Sequence, residues 1–352
     1  MSETRSRTGK TPSTLQVVLA LGTVYVLWGS TYLGMRIAVE TIPPFLMAGV
    51  RYGLAGLILY IWARWRGAPR PEPVHWRSAA VIGALLLMIG NGGVVWAEQK
   101  VASGLASLLV ATEALWIVLL QWLRRGGVRP GWRTFTGVGF GFTGLAILLG
   151  PGAKGALEPA GAVALLLAAL SWAIGSLYAQ KAPLPETPLL ATGMQMLCGG
   201  GLLMILGAVT GEAQRFDPSR VSNDSLLAMT YLLVFGSLIG FTAYSWLLRN
   251  VSPTLASTYA YVNPVVAVFL GWALAGEPVT ATTIAAAAVI VTGVALITSA
   301  SGPKKAEAPG KSPAEEPSGS TTGRTRSAGR PAAVEVETLA DSELEPETCG
   351  AR

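Results

Sequence analysis

Two formal charges, Arg51 and Glu113, lie inside otherwise apolar sequence, and these are the residues best placed to do chemistry. If the surrounding stretches span a bilayer, each charge costs about 2.5 to 3.5 kcal/mol on insertion scales, so each must face the protein interior or water. The pair admits two readings. In one, Glu113 is a proton- or cation-coupling carboxylate, and Arg51 binds an anionic group of a solute or tunes Glu113. In the other, the two form a fixed ion pair between helices. Glu98 is either a gate or entrance carboxylate or an interfacial acid beside Lys100.

Uncharged candidates surround these three. Trp28, Tyr32, Trp116, Trp172, Tyr178, Tyr244, Tyr259 and Tyr261 could wall a pocket for a partly apolar solute, where stacking and cation–π contact suit an aromatic or cationic compound. Ordinary packing is the rival reading, and the interfacial aromatic belt accounts for Trp62, Trp65, Trp76, Trp122 and Trp132. Asn263-Pro264 frees a backbone carbonyl and adds an amide, which makes it a kink, a hinge or a ligand. Asn91, between Gly90 and Gly92-Gly93, Gln195, Ser30 and Ser176 complete the candidate pathway.

Other chemistries lack raw material. A single histidine, His75, and two cysteines, Cys198 and Cys349, leave no metal set, no disulfide framework and no Ser-His-Asp site. Gly137, Gly139, Gly141 and Gly144 mimic a dinucleotide fingerprint, but inside an apolar helix with no preceding strand. With no Walker A sequence either, no cofactor is expected. The basic balance, net +6, comes without basic stripes and interleaved aromatics, so nucleic acid is not an expected partner. A membrane-embedded enzyme would need clustered acids or histidines at one face, and the chain offers scattered Glu98, Glu158 and Glu277.

The elements that must position these residues follow from composition. Of 352 residues, 51% are apolar and 13% charged, against about 25% charged in soluble domains, and mean hydropathy is +0.49. Ten stretches of about 20 mostly apolar residues lie between Leu15 and Ser301, each long enough for a hydrocarbon core of about 30 Å. Unpaired strand edges are too costly in lipid, so the expected fold is an all-α polytopic membrane protein with ten transmembrane helices. Lys and Arg fall 15 to five in favour of the loops on the N-terminal side, which predicts both termini in the cytoplasm. Residues 1–14 form a cytoplasmic segment, and residues 302–352, rich in Pro, Ser, Gly and Glu, a disordered cytoplasmic tail.

The halves 15–150 and 151–301 match in order. Trp28 with Gly29-Ser30-x-Tyr32 returns as Trp172 with Gly175-Ser176-x-Tyr178, Gly49-Val50-Arg51 as Gly193-Met194-Gln195, and Gly90 and Trp96 as Gly240 and Trp246. Leu105-Ala106-Ser107 returns as Leu255-Ala256-Ser257, and Thr143-Gly144 as Thr292-Gly293. Five helices per half is odd, so the repeats have inverted topology, as in secondary transporters.

Leu27-Trp28-Gly29-Ser30-Thr31-Tyr32, Met47 to Tyr52, Ala97-Glu98-Gln99-Lys100-Val101 and Tyr259 to Ala267 followed by Gly276-Glu277 resemble the EamA-type transporters of the drug/metabolite transporter superfamily, nearest the inner-membrane exporter branch. Glu113 departs from that pattern, standing where many relatives have proline at the repeat partner of Asn263-Pro264. The resemblance implies two EamA repeats in the cell membrane that export drugs or metabolites, such as amino acids or amines, by alternating access with possible proton coupling. A metabolite uptake carrier of the same fold is the alternative, and an enzyme or sensor comes behind it. The expected partners are a small-molecule solute, protons and the lipid bilayer. Oligomeric state stays open, a homodimer included.

Overall fold

The computed structural model describes residues 13–123, 131–149, 158–251 and 258–300, so both terminal segments lie outside the described residues. Helices account for nearly all of it, and no strand occurs among the described residues. Short helical pieces at Glu212–Arg215 and Pro218–Arg220 aside, in chain order they are α1 (Thr14–Ala38), α2 (Pro44–Trp65), α3 (Pro73–Ala97), α4 (Ser103–Leu123), α5 (Trp132–Leu149), α6 (Pro159–Ala179) and α7 (Pro188–Val209). Asn223–Tyr231 then opens α8, which runs on through Gly240–Asn250, and α9 (Tyr259–Ala275) and α10 (Ala281–Ala300) follow.

Seven of these are long and apolar enough to cross a membrane, and Val262–Ala275 and Ala281–Ile297 add shorter apolar stretches. The helix starts follow local chemistry. Ser13 and Gln16 form a capping box, Ser222 caps the Ser225 amide, and Glu158 caps Gly161 ahead of Pro159. Pro44, Pro73 and Pro188 also sit at first helical positions, where a missing N–H costs nothing. Gly276, at φ 63°, ends α9 in the left-handed conformation.

Three helices depart from the uniform rods expected. α3 carries a π-helical stretch at Gly83–Asn91, and α8 carries another at Leu232–Ile239, each ending next to the repeat-matched Gly90 and Gly240. α4 breaks at Ala111-Thr112, where the Thr112 amide and hydroxyl both turn back to the Leu109 carbonyl, so Glu113 starts a new helical piece.

The packing follows the repeat. α2 lies on α7 and α5 on α10, each helix against its own sequence counterpart. α1 packs on α8 and α9, as α6 packs on α3 and α4. Small residues allow the two self-pairings. A Cβ on Gly56 would lie 2.6 Å from the Leu197 amide nitrogen, and one on Gly137 would lie 2.7 Å from the Gly293 carbonyl. In lipid such close backbone approach supplies the van der Waals contact that holds helices together.

Candidate functional site

The helices that cross near the middle of the bundle enclose a cavity of about 100 Å³. α1 presents Trp28, Tyr32 and Met35, spaced to share one helical face. α2 adds Arg51 and Tyr52, and α9 adds Tyr259 and Asn263 one turn apart. The two π-helical regions contribute Asn91 and Gly236, and α6 supplies Trp172. Extra-residue turns of this kind redirect side chains and gather at functional sites.

Arg51 is 3% exposed. Its Nε donates to Ser237 Oγ at 2.9 Å, its guanidinium lies 4.5 Å from the Tyr52 ring centre, and its Nη1 has no hydrogen-bond partner among the described residues. Asn91 Oδ1 and Asn263 Oδ1 are also buried without partners. The residues that line the cavity therefore include one spare cationic donor and two spare amide acceptors, each atom itself buried, among aromatic and aliphatic neighbours. Trp28 anchors those walls: its indole donates to the Gly236 carbonyl at 3.2 Å, and its ring meets Tyr259 edge-on at 5.0 Å and Phe241 at 5.2 Å.

Of the sequence candidates, Trp28, Tyr32, Arg51, Asn91, Trp172, Tyr259 and Asn263 line this cavity. Tyr244 stands just behind, against Trp28 and Tyr259. Glu113 lies within electrostatic reach of Tyr32, Tyr244 and Tyr259 but has no hydrogen-bond or ion-pair partner among the described residues, and no ion pair joins it to Arg51. Trp116 packs edge-on against Phe142 with its indole nitrogen unpaired.

Other candidates sit elsewhere. Ser30 lies on the opposite face of α1, 2.6 Å from Tyr231 Oη, in an outer groove of about 950 Å³. Pro264 borders a second outer groove against α10. Tyr178 is 40% exposed on α6, Gln195 sits in the α3–α7 contact through its backbone, and Ser176 is half-buried outside the cavity. The side chain of Tyr261 lies outside the described residues.

Polar residues gather at one end of the bundle. Arg36 Nη1 donates to the carbonyls of Glu98, at 2.9 Å, and Val101, and its Nε lies 3.7 Å from Glu277 Oε1. Glu277 also accepts the amides of Ser103 and Gly104, capping α4 from the α9–α10 turn. Glu212, after α7, does the same for α2 through Phe45 and Leu46. Both carboxylates belong to the second half, and each seals the first turn of the repeat-matched helix of the first half. Glu98 itself is fully buried in the α3–α4 turn, and neither carboxyl oxygen has a partner among the described residues.

Sequence reasoning missed Ser237, Tyr52 and Gly236, since each matters through a contact across the fold. Glu212 and Glu277 carried a readable signal: each is an acid placed just past an apolar run. No group of three or more His, Cys, Asp or Glu able to hold a metal occurs among the described residues.

The EamA-like transporter family model matches residues 15–150 and 159–299. An uncharacterized inner membrane transporter, YedA of Escherichia coli K12, is 42% identical over 280 residues, covering 79% of this chain and 89% of the relative. The WAT1-related protein At3g02690, chloroplastic, of Arabidopsis thaliana is 26% identical over 285 residues, covering 78% of this chain and 67% of its own. A crystal structure described only as that of a protein aligns with a TM-score of 0.56 at 22% identity, covering 81% of this chain and 98% of the other, and so shares its fold.

Proposed function

The chain belongs to the EamA-like transporter family, and on that footing we propose that it is a secondary active exporter of small metabolites working by alternating access. It is a multi-pass inner-membrane transporter. In the finer reading, ten spans form two inverted repeats over 15–150 and 151–301. Both termini face the cytoplasm, and the end that carries Arg36, Glu98 and Glu277 faces outward.

What carries the reading is the central cavity with its three unpartnered polar atoms, Arg51 Nη1, Asn91 Oδ1 and Asn263 Oδ1. Buried polar groups are expensive to leave unpaired, and a solute can complete them. A carboxylate suits Arg51, and N–H donors suit the two amide oxygens. An apolar cavity of about 150 Å³ takes benzene, so about 100 Å³ favours a compact solute. The donor and acceptor set therefore supports a small zwitterion such as an amino acid. Glu113, unpaired beside Tyr32 and Tyr259, is the candidate coupling carboxylate.

Counterflow into proteoliposomes tests this with L-valine, isobutylamine and isovalerate, which share a branched apolar group but differ in charge, the amine lacking the carboxylate and the acid lacking the ammonium. Exchange of valine and related amino acids, without exchange of either singly charged analogue, is expected. Equal exchange of all three, or none across a panel of amino acids, would overturn the solute reading. If Glu113→Gln leaves transport and its pH dependence intact, the coupling role of Glu113 falls.

A further inference from the structure

Glu98 occupies a position that the solute cavity does not explain. Ala97, Glu98 and Val101 are each 0% exposed, in a turn that starts one helical turn past Val94 of the cavity wall and whose carbonyls Arg36 holds. Arg36 holds the main chain of this turn through the Glu98 and Val101 carbonyls and spends its remaining charge on Glu277. The Glu98 carboxyl is reached electrostatically by Arg36, Glu277 and Arg51 and itself acts on Tyr32, yet it is hydrogen-bonded to none of them. The other charges near the turn, Lys100 and Glu158, pair with each other at 3.5 Å. An ionised carboxylate sealed without a partner is too costly, whereas a neutral acid is tolerable there.

We infer that Glu98 is a proton-binding site whose occupation is required to close the outer end of the bundle, and that it is separate from Glu113. Closing takes one proton from the outside onto a Glu98 oxygen. Opening admits water and returns that proton, leaving a carboxylate that Arg36 can then meet. The environment agrees in direction: burial first, and then the Glu277 charge, hold this turn carboxyl well above the usual carboxylate range, against the opposing pull of Arg36 and Arg51. The inference rests on the transporter reading for the opening of this end and for its outward direction. The closing equilibrium itself can be measured with no solute present.

The test uses purified full-length protein in detergent, with Cys198 and Cys349 replaced by Ser and a reporter Val101→Cys placed in the seal. A maleimide labels the reporter only when this end opens. A second protein, with Arg220→Cys on the exposed surface, corrects for the intrinsic pH dependence of thiols. The corrected rate should rise with pH, by up to about tenfold per unit where one proton separates the closed and open states. Glu98→Gln, a permanently neutral stand-in, should give a slow, pH-independent rate, while Glu98→Asp and Glu113→Gln keep the slope. Glu277→Gln should raise the rate at every pH and also keep the slope. A flat profile in the parent, a retained slope in Glu98→Gln, or a slope lost in Glu277→Gln or Glu113→Gln overturns the assignment. The transporter reading would survive any of these results, because it is tested by counterflow.

Discussion

Gly200 and Gly201 are neighbours on α7, the first against α2 and the second facing open space, and a single methyl group added to each separates the effect of helix pairing from everything else. At Gly200 a Cβ would lie 2.5 Å from the Gly53 amide nitrogen and 3.0 Å from the Gly49 carbonyl on α2. Both are backbone atoms, so no side chain can rotate away, and α7 must retreat from α2 by about 1 Å to reach ordinary contact. At Gly201 the same Cβ meets nothing within 4 Å. Each substitution gains about 1 kcal/mol of helix propensity, which cancels in the comparison. What remains is overpacking, about 1 to 3 kcal/mol, borne by Gly200→Ala alone. The half-buried thiol of Cys198 on the same helix provides the assay. With Cys349 replaced by Ser, a thiol-reactive dye reports thermal unfolding in detergent, and Gly200→Ala should melt clearly below Gly201→Ala. Equal midpoints, or the reverse order, would refute the direct backbone contact between α2 and α7 and with it the self-pairing of equivalent helices.

Ser237→Ala should cost about 1 to 3 kcal/mol in the same melting assay, since it strips the buried Arg51 Nε of its acceptor. Arg51→Gln should abolish counterflow of valine while the protein stays folded by size exclusion; retained exchange would remove Arg51 from solute recognition. Burial holds the Glu212 carboxyl above its ordinary 4.5, outweighing the Leu46 and Phe45 amides and Arg215. The folded protein therefore binds this proton more tightly than the unfolded chain does, so stability from Glu212 is fully present below 4.5 and is lost as pH rises through the folded value. Melting of the wild type relative to Glu212→Gln should accordingly fall with rising pH across that window and stay level below it.

Much of the site could be read from residue type, because a charge or a bare amide in a membrane helix has few places to go. Arg51, Asn91 and Asn263 reach the cavity for that reason. Ser30, also a pathway candidate, lies outside that cavity. The shared Gly-Ser-x-Tyr motif tied Ser30 to Tyr32, yet residues two apart lie on different sides of a helix, and the helical set is Trp28, Tyr32 and Met35. Ser30 accordingly pairs with Tyr231 in the outer groove. The partners of Arg51 were out of reach for another reason. Ser237 is 186 positions away, on a helix whose register no local pattern fixes.

The two π-helical stretches explain why that register was hidden. A 3.6-residue period carried through α3 or α8 assumes uniform turns, and each stretch of wider turns rotates everything beyond it relative to that expectation. Asn91, at the end of the first stretch, and Gly236 and Ser237, within the second, are turned toward the same space. Because the stretches fall at equivalent positions of the two repeats, the irregularity is itself part of the symmetry. Both frame the cavity next to repeat-matched glycines at 90 and 240, where a Cβ would crowd Trp172 and Trp28, respectively, the two repeat-equivalent tryptophans. The match of Trp28 with Trp172 and of Gly90 with Gly240, which began as a pattern along the chain, thus describes one contact made twice: each tryptophan lies against the glycine of the opposite half, so any movement of one repeat against the other must pass through both contacts.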